Sequence, residues 1–208
     1  MVDDLLLLII SSPSGAGKTT LTRDLLVQFP DLTFSVSHTT RKPRANEQDG
    51  KDYHFIDRAR FDALVAADAF VEWAEVHGNC YGTSAEEIER AKRDQRRGIV
   101  FDIDYQGARQ IKAVRPDAVS VFVLPPSMDA LKERLRGRAS DDEATIERRF
   151  SNARREIEHY GLFDYVLVND QLEQAKLRMR SIVVAERVRR PRMARQAEAL
   201  LRQNRTLG

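Results

Sequence analysis

The residues with the clearest chemical meaning form one run, Ser11-Ser12-Pro13-Ser14-Gly15-Ala16-Gly17-Lys18-Thr19-Thr20. Gly15 and Gly17 let the backbone turn its N–H groups inward around a phosphate, a conformation that Cβ atoms obstruct. Lys18 supplies a charge that can follow the β- and γ-phosphates of a nucleoside triphosphate, and Thr19 offers a hydroxyl to Mg²⁺. The full pattern G-x-x-x-x-G-K-[ST] has Ser12 where its first glycine would stand, at the loop's entry rather than in its cradle. A nucleotide phosphate is therefore the expected ligand of Ser14, Gly15, Ala16, Gly17, Lys18, Thr19 and Thr20.

Such a loop binds a nucleotide without saying what becomes of it. No Asn-Lys-x-Asp segment of the GTPase kind occurs. Arg41 and Arg44 stand three apart beside a Ser/Thr-rich stretch, and guanidinium forks suit a phosphate dianion. Asp102 ends an apolar run, where an acid that holds Mg²⁺ would sit, and Asp104, two residues on, faces the same side. Glu72 beside Trp73 reads by itself as an ordinary strand acid. The four histidines, 38, 54, 77 and 159, are dispersed without zinc-ligand spacing.

The elements that must position these groups follow from periodicity. Leu5 to Ile10 is a continuous apolar run of the buried-strand kind, and Leu21, Leu25 and Leu26 mark one side of a helix after the loop. Residues 98–104, 118–124 and 165–169 read as further strands, separated by helical segments around 85–97, 129–137 and 142–160. Strands alternating with helices predict a parallel sheet covered on both faces. Thr33 to Gly82 breaks the rhythm, with alternating aromatic and polar residues and turn signals at Asp49-Gly50 and His77-Gly78-Asn79. It predicts an inserted, mainly β subdomain with one helix near 58–67. Residues 127–150, dense in Arg and acids, predict a helical flap.

Several segments together resemble the guanylate kinases. They are Phe34 to Arg44, Glu47, Asp49 to Phe55, Phe70 to Ala74, Gly78 to Thr83, Asp102 to Gly107, Leu124 to Ser127, Arg134 to Arg138 and Val168 to Asp170. The similarity runs from about Leu5 to about Ile182. It implies an α/β P-loop three-layer fold with a central parallel sheet in a single domain: core 1–33, 83–126 and 151–186, GMP-binding subdomain 34–82, lid 127–150 and basic tail 187–208. It further implies transfer of a phosphoryl group from ATP, with Mg²⁺ as cofactor, to GMP or dGMP. By the same resemblance Arg41, Arg44, Tyr53 and Tyr81 bind the GMP phosphate, while Glu72 and Thr83, with Ser37 and Asp104, meet the guanine. Asn169 joins the ATP-binding residues, and Thr19 and Asp102 hold the metal. Lys18, Arg41, Arg134, Arg138 and Arg149 stabilise the transferring phosphoryl group, whereas Arg136, Arg148, Arg154 and Arg155 are expected as helix-surface charges.

Composition bounds the alternatives. At 42% hydrophobic residues the 208-residue chain can bury a core, and 32% charged residues argue against a membrane protein. Leu5 to Ile10 is far short of the ~20 residues a membrane span needs. Asp3 and Asp4 precede it instead of a basic region, so a signal peptide is not expected. The single Cys80 suits a reducing compartment, and the expected location is cytoplasmic. Residues 187–208 carry seven arginines against Glu198, a balance of +6 that leaves −4 for the rest of a chain of net charge +2. That tail is expected as a solvated, partly helical extension, with nucleic acid disfavoured as its partner. ATP and GMP are the expected partners, and the sequence leaves a homo-oligomer open. A non-catalytic interaction module and a P-loop kinase for another metabolite are the rival readings. The complete set of phosphate-facing residues speaks against the first, and Glu72 with the 37–44 segment against the second.

Overall fold

The structure, a computed structural model, describes residues 5–44, 47–76, 78–137 and 142–203. In chain order it comprises β1 (Leu6–Ser11), α1 (Lys18–Gln28), β2 (Leu32–Phe34), β3 (His38–Thr39), β4 (His54–Phe55), α2 (Arg58–Ala66), β5 (Phe70–Val76) and β6 (Asn79–Ser84). It continues with α3 (Ala85–Arg93), β7 (Gly98–Asp102), α4 (Tyr105–Val114), β8 (Val119–Leu124), α5 (Met128–Arg136), α6 (Glu143–Ile157), β9 (Tyr165–Val168), α7 (Leu172–Arg187) and α8 (Arg190–Gln203).

β1 is apolar on both faces because both are covered. Leu6, Leu8 and Ile10 pack with Leu21 and Leu25 of α1 and Ala175, Met179 and Val183 of α7. Leu7 and Ile9 pack on the other side with Ile88 and Ala91 of α3 and Ala108 and Ile111 of α4. The period-2 alternation of a strand thus feeds two helical layers. Parallel pairing gives the order β2-β7-β1-β8-β9. The chain moves to one side of β1 first and to the other later, so a crevice opens at the carboxyl ends of the strands there.

β2 departs from expectation. Leu32 fell in the predicted core 1–33 but Phe34 at the start of the predicted subdomain 34–82, yet Phe34 pairs with Val100 and β2 forms an edge of the central sheet. A strand of three residues carries little periodicity, and its register on β7 is set by tertiary pairing. The second sheet, β4-β3-β6-β5, holds the remainder of the insertion. Phe61 of α2 fills its underside against Phe70 and Trp73, at ring-centroid distances of 4.8 and 6.3 Å.

The flap is a pair of helices with a small core of its own, Leu131, Leu135, Ile146 and Ala153. α6 runs to Ile157, across the expected boundary at 150. Arg138 lies outside the described residues. The tail is not simply solvated: Arg187 pairs with Asp31 at 2.8 Å and lies over the Phe29 ring at 4.9 Å. Arg192 donates to the carbonyls of Leu5 and Asp117 at 3.4 and 3.1 Å. Among the described residues no helix is long and apolar enough to cross a membrane.

Gly98 marks the tightest strand contact. A Cβ there would stand 2.5 Å from Leu32 Cδ2 and 2.9 Å from the Leu6 carbonyl oxygen. Gly98→Ala is expected to lower stability by about 1–3 kcal/mol through overpacking, read as a fall in the urea midpoint; an unchanged midpoint contradicts this packing.

Candidate active site

The carboxyl end of β1 leads directly into the phosphate loop. Ala16 N–H donates to the Pro13 carbonyl at 3.1 Å, closing the turn, and Gly15 and Gly17 sit at φ of +93° and +99°. Ser12 is not among the positive-φ residues, so the missing first glycine leaves the loop unstrained. Helices α2 to α6 begin on capping side chains, Asp57, Ser84, Asp104, Ser127 and Asp142. α1 begins instead on Gly17, with no side-chain cap and no acid in its first turn. Its N–H groups and dipole are left to an external anion.

Two groups brace the loop from behind. Asn169 Nδ2 donates to the Ala16 carbonyl at 2.8 Å, and a Cβ on Gly17 would collide with that amide. Arg134 reaches the Ala16 and Asn169 carbonyls at 3.4 and 3.1 Å. Lys18 Nζ lies 2.5 Å from Asp102 Oδ1 and 3.4 Å from the Ile103 carbonyl. β1–β7 pairing, with Ile10 opposite Asp102, brings these charges to one level of the sheet.

Across the crevice stands Glu72 on β5, only 4% exposed. Thr83 Oγ1 donates to its Oε1 at 2.5 Å, and Ser37 Oγ lies 3.2 Å from Thr83 Oγ1. Thr83, wholly buried, stands behind the carboxylate. Burial raises the Glu72 carboxyl to about 7; the Thr83 hydrogen bond opposes this and the Asp104 charge adds to it. α4 fixes its place. A Cβ on Gly107 would sit 2.5 Å from Glu72 Oε2, and Gln110 holds the Trp73 backbone with a pair of hydrogen bonds of 3.1 and 2.8 Å. Asp104 caps the same helix, accepting from Gly107 N–H at 2.9 Å.

The arginine pair divides. Arg41 forks onto Glu47 at 2.9 and 2.8 Å and lies 5.3 Å from the Tyr53 ring centroid, whereas the Arg44 side chain is 72% exposed. Tyr53 and Tyr81 meet edge to face at 6.0 Å. Burial, aided by the Asp102 charge, raises the Tyr53 phenol to about 12, so it remains an O–H donor at neutral pH.

α6 closes the third side. Thr145, Arg148, Arg149, Asn152 and Glu156 recur at helical spacing along one stripe. Arg149 Nη2 donates to Ser14 Oγ at 2.6 Å. Burial lifts the Glu156 carboxyl to about 7, against the pull of Lys18 and the Ser14 N–H. Arg148, expected as a surface charge, is exposed and also lines the cavity.

One cavity of about 540 Å³ joins these walls: the loop from Ser12 to Thr20, Asp102 and Asp104, the α6 stripe, and Ser37, Arg44, Tyr53, Glu72 and Tyr81 opposite. On the other side of Gly15 and Gly17 a smaller cavity of about 240 Å³ is lined by Thr20, Arg134, Asn169, Asp170 and Leu172. Sequence reasoning gave no role to Glu47, Gly107, Gln110, Asn152 or Glu156. A glycine inside a helical pattern and the α6 spacing beside Arg149 were the available signals.

A phosphate loop facing a second, carboxylate-bearing subsite across one cavity, with a helical lid, defines a P-loop phosphotransferase. Residues 5–186 match the family described as guanylate kinase. The chain is 54% identical over 188 residues to the guanylate kinase of Mesorhizobium japonicum, covering 90% of this chain and 86% of that one. It is 51% identical over 189 residues to that of Myxococcus xanthus, covering 90% of each. The crystal structure of guanylate kinase from Anaplasma phagocytophilum superposes with a TM-score of 0.72 at 33% identity, covering 89% of this chain and 87% of that one. The chain belongs to the guanylate kinase family, whose activity is phosphoryl transfer from ATP to GMP.

Two outcomes follow from the Glu72 surroundings. Gly107→Ala displaces the carboxylate and is expected to raise KM for GMP roughly tenfold or more while leaving KM for ATP within about twofold, since overpacking there costs about 1–3 kcal/mol; equal changes in both contradict it. The second concerns pH. Because the folded-state pKa of Glu72 is raised, its contribution to stability is full below the ordinary carboxylate value of 4.5 and is lost as pH climbs through about 7. Guanine's donors need the ionised form, so GMP affinity relative to a Glu72→Gln reference is expected to rise between pH 6 and 8. A flat ratio by calorimetry contradicts the role.

Proposed function

We propose that this chain carries the γ-phosphoryl of ATP to the phosphate of GMP, or of dGMP, with the roles divided among the residues around the 540 Å³ cavity. The observation that carries the reading is the opposition of the uncapped α1 terminus and Glu72 across that one space. The loop from Ser14 to Thr20 holds the β- and γ-phosphates through backbone N–H groups and Lys18. The 240 Å³ cavity beside Asn169 and Arg134 suits the adenine end of ATP. Thr19 and Asp102 offer hard oxygen donors suited to Mg²⁺, which when bound neutralises phosphate charge. Lys18, paired with Asp102 at 2.5 Å, would turn to the phosphates if Asp102 served the metal instead.

Guanine presents two donors, N1–H and the 2-amino group, to the ionised Glu72. Adenine has a lone pair at N1 and would leave a buried carboxylate unpaired, which supports discrimination of ~10⁴-fold or more. Thr83 and Ser37 orient that carboxylate, and Asp104 sets the helix that abuts it. The acceptor phosphate fits among Arg44, Tyr53 and Tyr81, with Arg41 shared between phosphate and Glu47. Arg149 and Arg148, with Arg138 and Arg134, stabilise charge spread over the transferring group. The second sheet and the α5–α6 lid close on the central sheet once both substrates are seated, excluding water that would otherwise hydrolyse ATP. Substrates of this kind and the buried single Cys80 support a cytoplasmic location.

A coupled assay offering Mg²⁺-ATP with GMP, AMP, UMP or CMP tests the assignment. GMP is expected to be preferred by ~10⁴-fold, Lys18→Met to lower kcat by at least ~10²-fold, and Glu72→Gln to weaken GMP use far more than ATP binding. Preference for AMP or UMP, or an undiminished Lys18→Met variant, overturns it.

A further inference from the structure

Between β3 and β4 the chain folds around one acid, Glu47, whose side chain is 17% exposed. Its carboxylate accepts from both Nη atoms of Arg41, at 2.9 and 2.8 Å, and from the Arg44 N–H at 2.8 Å. The Glu47 N–H returns a bond of 3.0 Å to the Arg44 carbonyl. Thr39 anchors the segment from the other end. Its Oγ1 accepts from the Arg41 N–H at 3.1 Å and donates to the Cys80 carbonyl at 3.0 Å. β3–β6 pairing sets Thr39 opposite Tyr81, so Arg41 is brought behind Tyr53 and Tyr81, two phenols that line the catalytic cavity. The guanidinium lies 5.3 Å from the Tyr53 ring centroid and hydrogen-bonds Tyr81.

The donors of Arg41 can be accounted for one by one. A guanidinium offers five N–H groups in a fixed plane. Glu47 takes the fork between Nη1 and Nη2, and the second Nη1 donor goes to the Lys42 carbonyl at 2.8 Å. The fork between Nε and Nη2 is the edge that these bonds leave, and the Tyr81 contact falls there. Both partners are charged. The Glu47 hydrogen bonds raise Arg41 above its ordinary value, against burial. Burial pushes the Glu47 carboxyl up, but the bonds from Arg41 and the Arg44 N–H outweigh it and hold the group below the usual range.

By charge alone an acid beside a phosphate subsite is unfavourable. What it supplies is order. An arginine side chain has rotamer freedom to lose when it meets an anion, and the Glu47 fork removes that freedom beforehand. We propose that Glu47 is a positioning residue for the acceptor phosphate: it grips one edge of the Arg41 guanidinium and turns the other edge, with the Tyr81 hydroxyl, toward that anion. This role rests on the reading of Arg41, Tyr53 and Tyr81 as the acceptor-phosphate subsite. Tyr81, accepting from Arg41, keeps its own O–H for the phosphate. The same carboxylate holds the backbone of Arg44, whose side chain lines the cavity, so one acid sets both members of the arginine pair.

The test titrates the full-length chain with GMP and with guanosine by isothermal titration calorimetry, and follows GMP phosphorylation in the coupled assay. The normal chain is expected to bind GMP more tightly than guanosine. Glu47→Gln is expected to weaken GMP binding and raise its KM by about tenfold, while guanosine affinity and KM for ATP stay within about twofold. Charge alone predicts the opposite sign, since removing an acid relieves repulsion of the phosphate. In an Arg41→Met background, Glu47→Gln is expected to weaken GMP binding no further. Unchanged or tighter GMP binding in Glu47→Gln overturns the proposal, as does equal weakening of GMP and guanosine, which marks an acid that only supports the fold. A further loss in the Arg41→Met background also overturns it, because Glu47 then acts by another route. A normal chain that binds GMP no more tightly than guanosine overturns the phosphate subsite itself, and the proposal with it.

Discussion

A carboxylate taken out of water must find partners or give up its charge, and Glu72 is the residue on which that constraint falls. One oxygen is met by Thr83. The other faces the crevice beside Gly107, where no side chain larger than hydrogen fits. α4 can therefore pack directly on β5, and Gln110 ties the two by reading the Trp73 backbone as a neighbouring strand would. That contact joins the second sheet to the core. It also aims the carboxylate at the carboxyl ends of β1 and β7. Burial raises that carboxyl to about 7.

The opposite wall obeys the complementary rule. Every helix from α2 to α6 satisfies one of its first N–H groups with a capping side chain, while α1 has no such cap. The Lys18 charge is balanced by Asp102 at 2.5 Å, which holds the ammonium at the mouth of the loop. The parallel sheet makes this possible, since a crevice at the carboxyl ends of its strands is where the order reverses. α6 adds a third wall whose polar stripe carries cations and one raised carboxyl, Glu156, and whose far side is bound to α5 by apolar packing. Positive and acidic groups meet here at close range, and charge moving from one nucleotide to another needs such a setting.

Much of this was legible in the residues themselves. Leu5 to Ile10, the glycine-lysine loop and the Leu21–Leu25 spacing specify a strand, a turn and a helix by local rules alone, and the structure has them within a residue or so. The parallel sheet followed from alternation. β2 did not, because three residues carry no period and are paired only by what lies beside them. The insertion's outline was readable from its aromatic alternation, but Glu72 looked like a surface acid until burial by Thr83 and α4 was known. Arg148 and Arg149 are adjacent and chemically alike; which of the lid arginines meets the cavity depends on the tilt of α6 against Leu131 and Leu135, a packing outcome. The tail misled for the same reason. Its arginines read as solvated, whereas Arg187 finds Asp31 and the Phe29 ring, and Arg192 the Leu5 and Asp117 carbonyls, at the base of the sheet.

The account turns on two subsites that address one space. A crystal structure of the chain with GMP and a non-hydrolysable ATP analogue bound tests this most directly. The expected result has guanine N1 and its 2-amino group within about 3.2 Å of the Glu72 carboxylate, the analogue's β-phosphate in the Gly15–Gly17 turn, and its γ-phosphate facing the GMP phosphate beneath α6. Guanine seated away from Glu72, or the two phosphates pointing into different cavities with the lid closed, contradicts it.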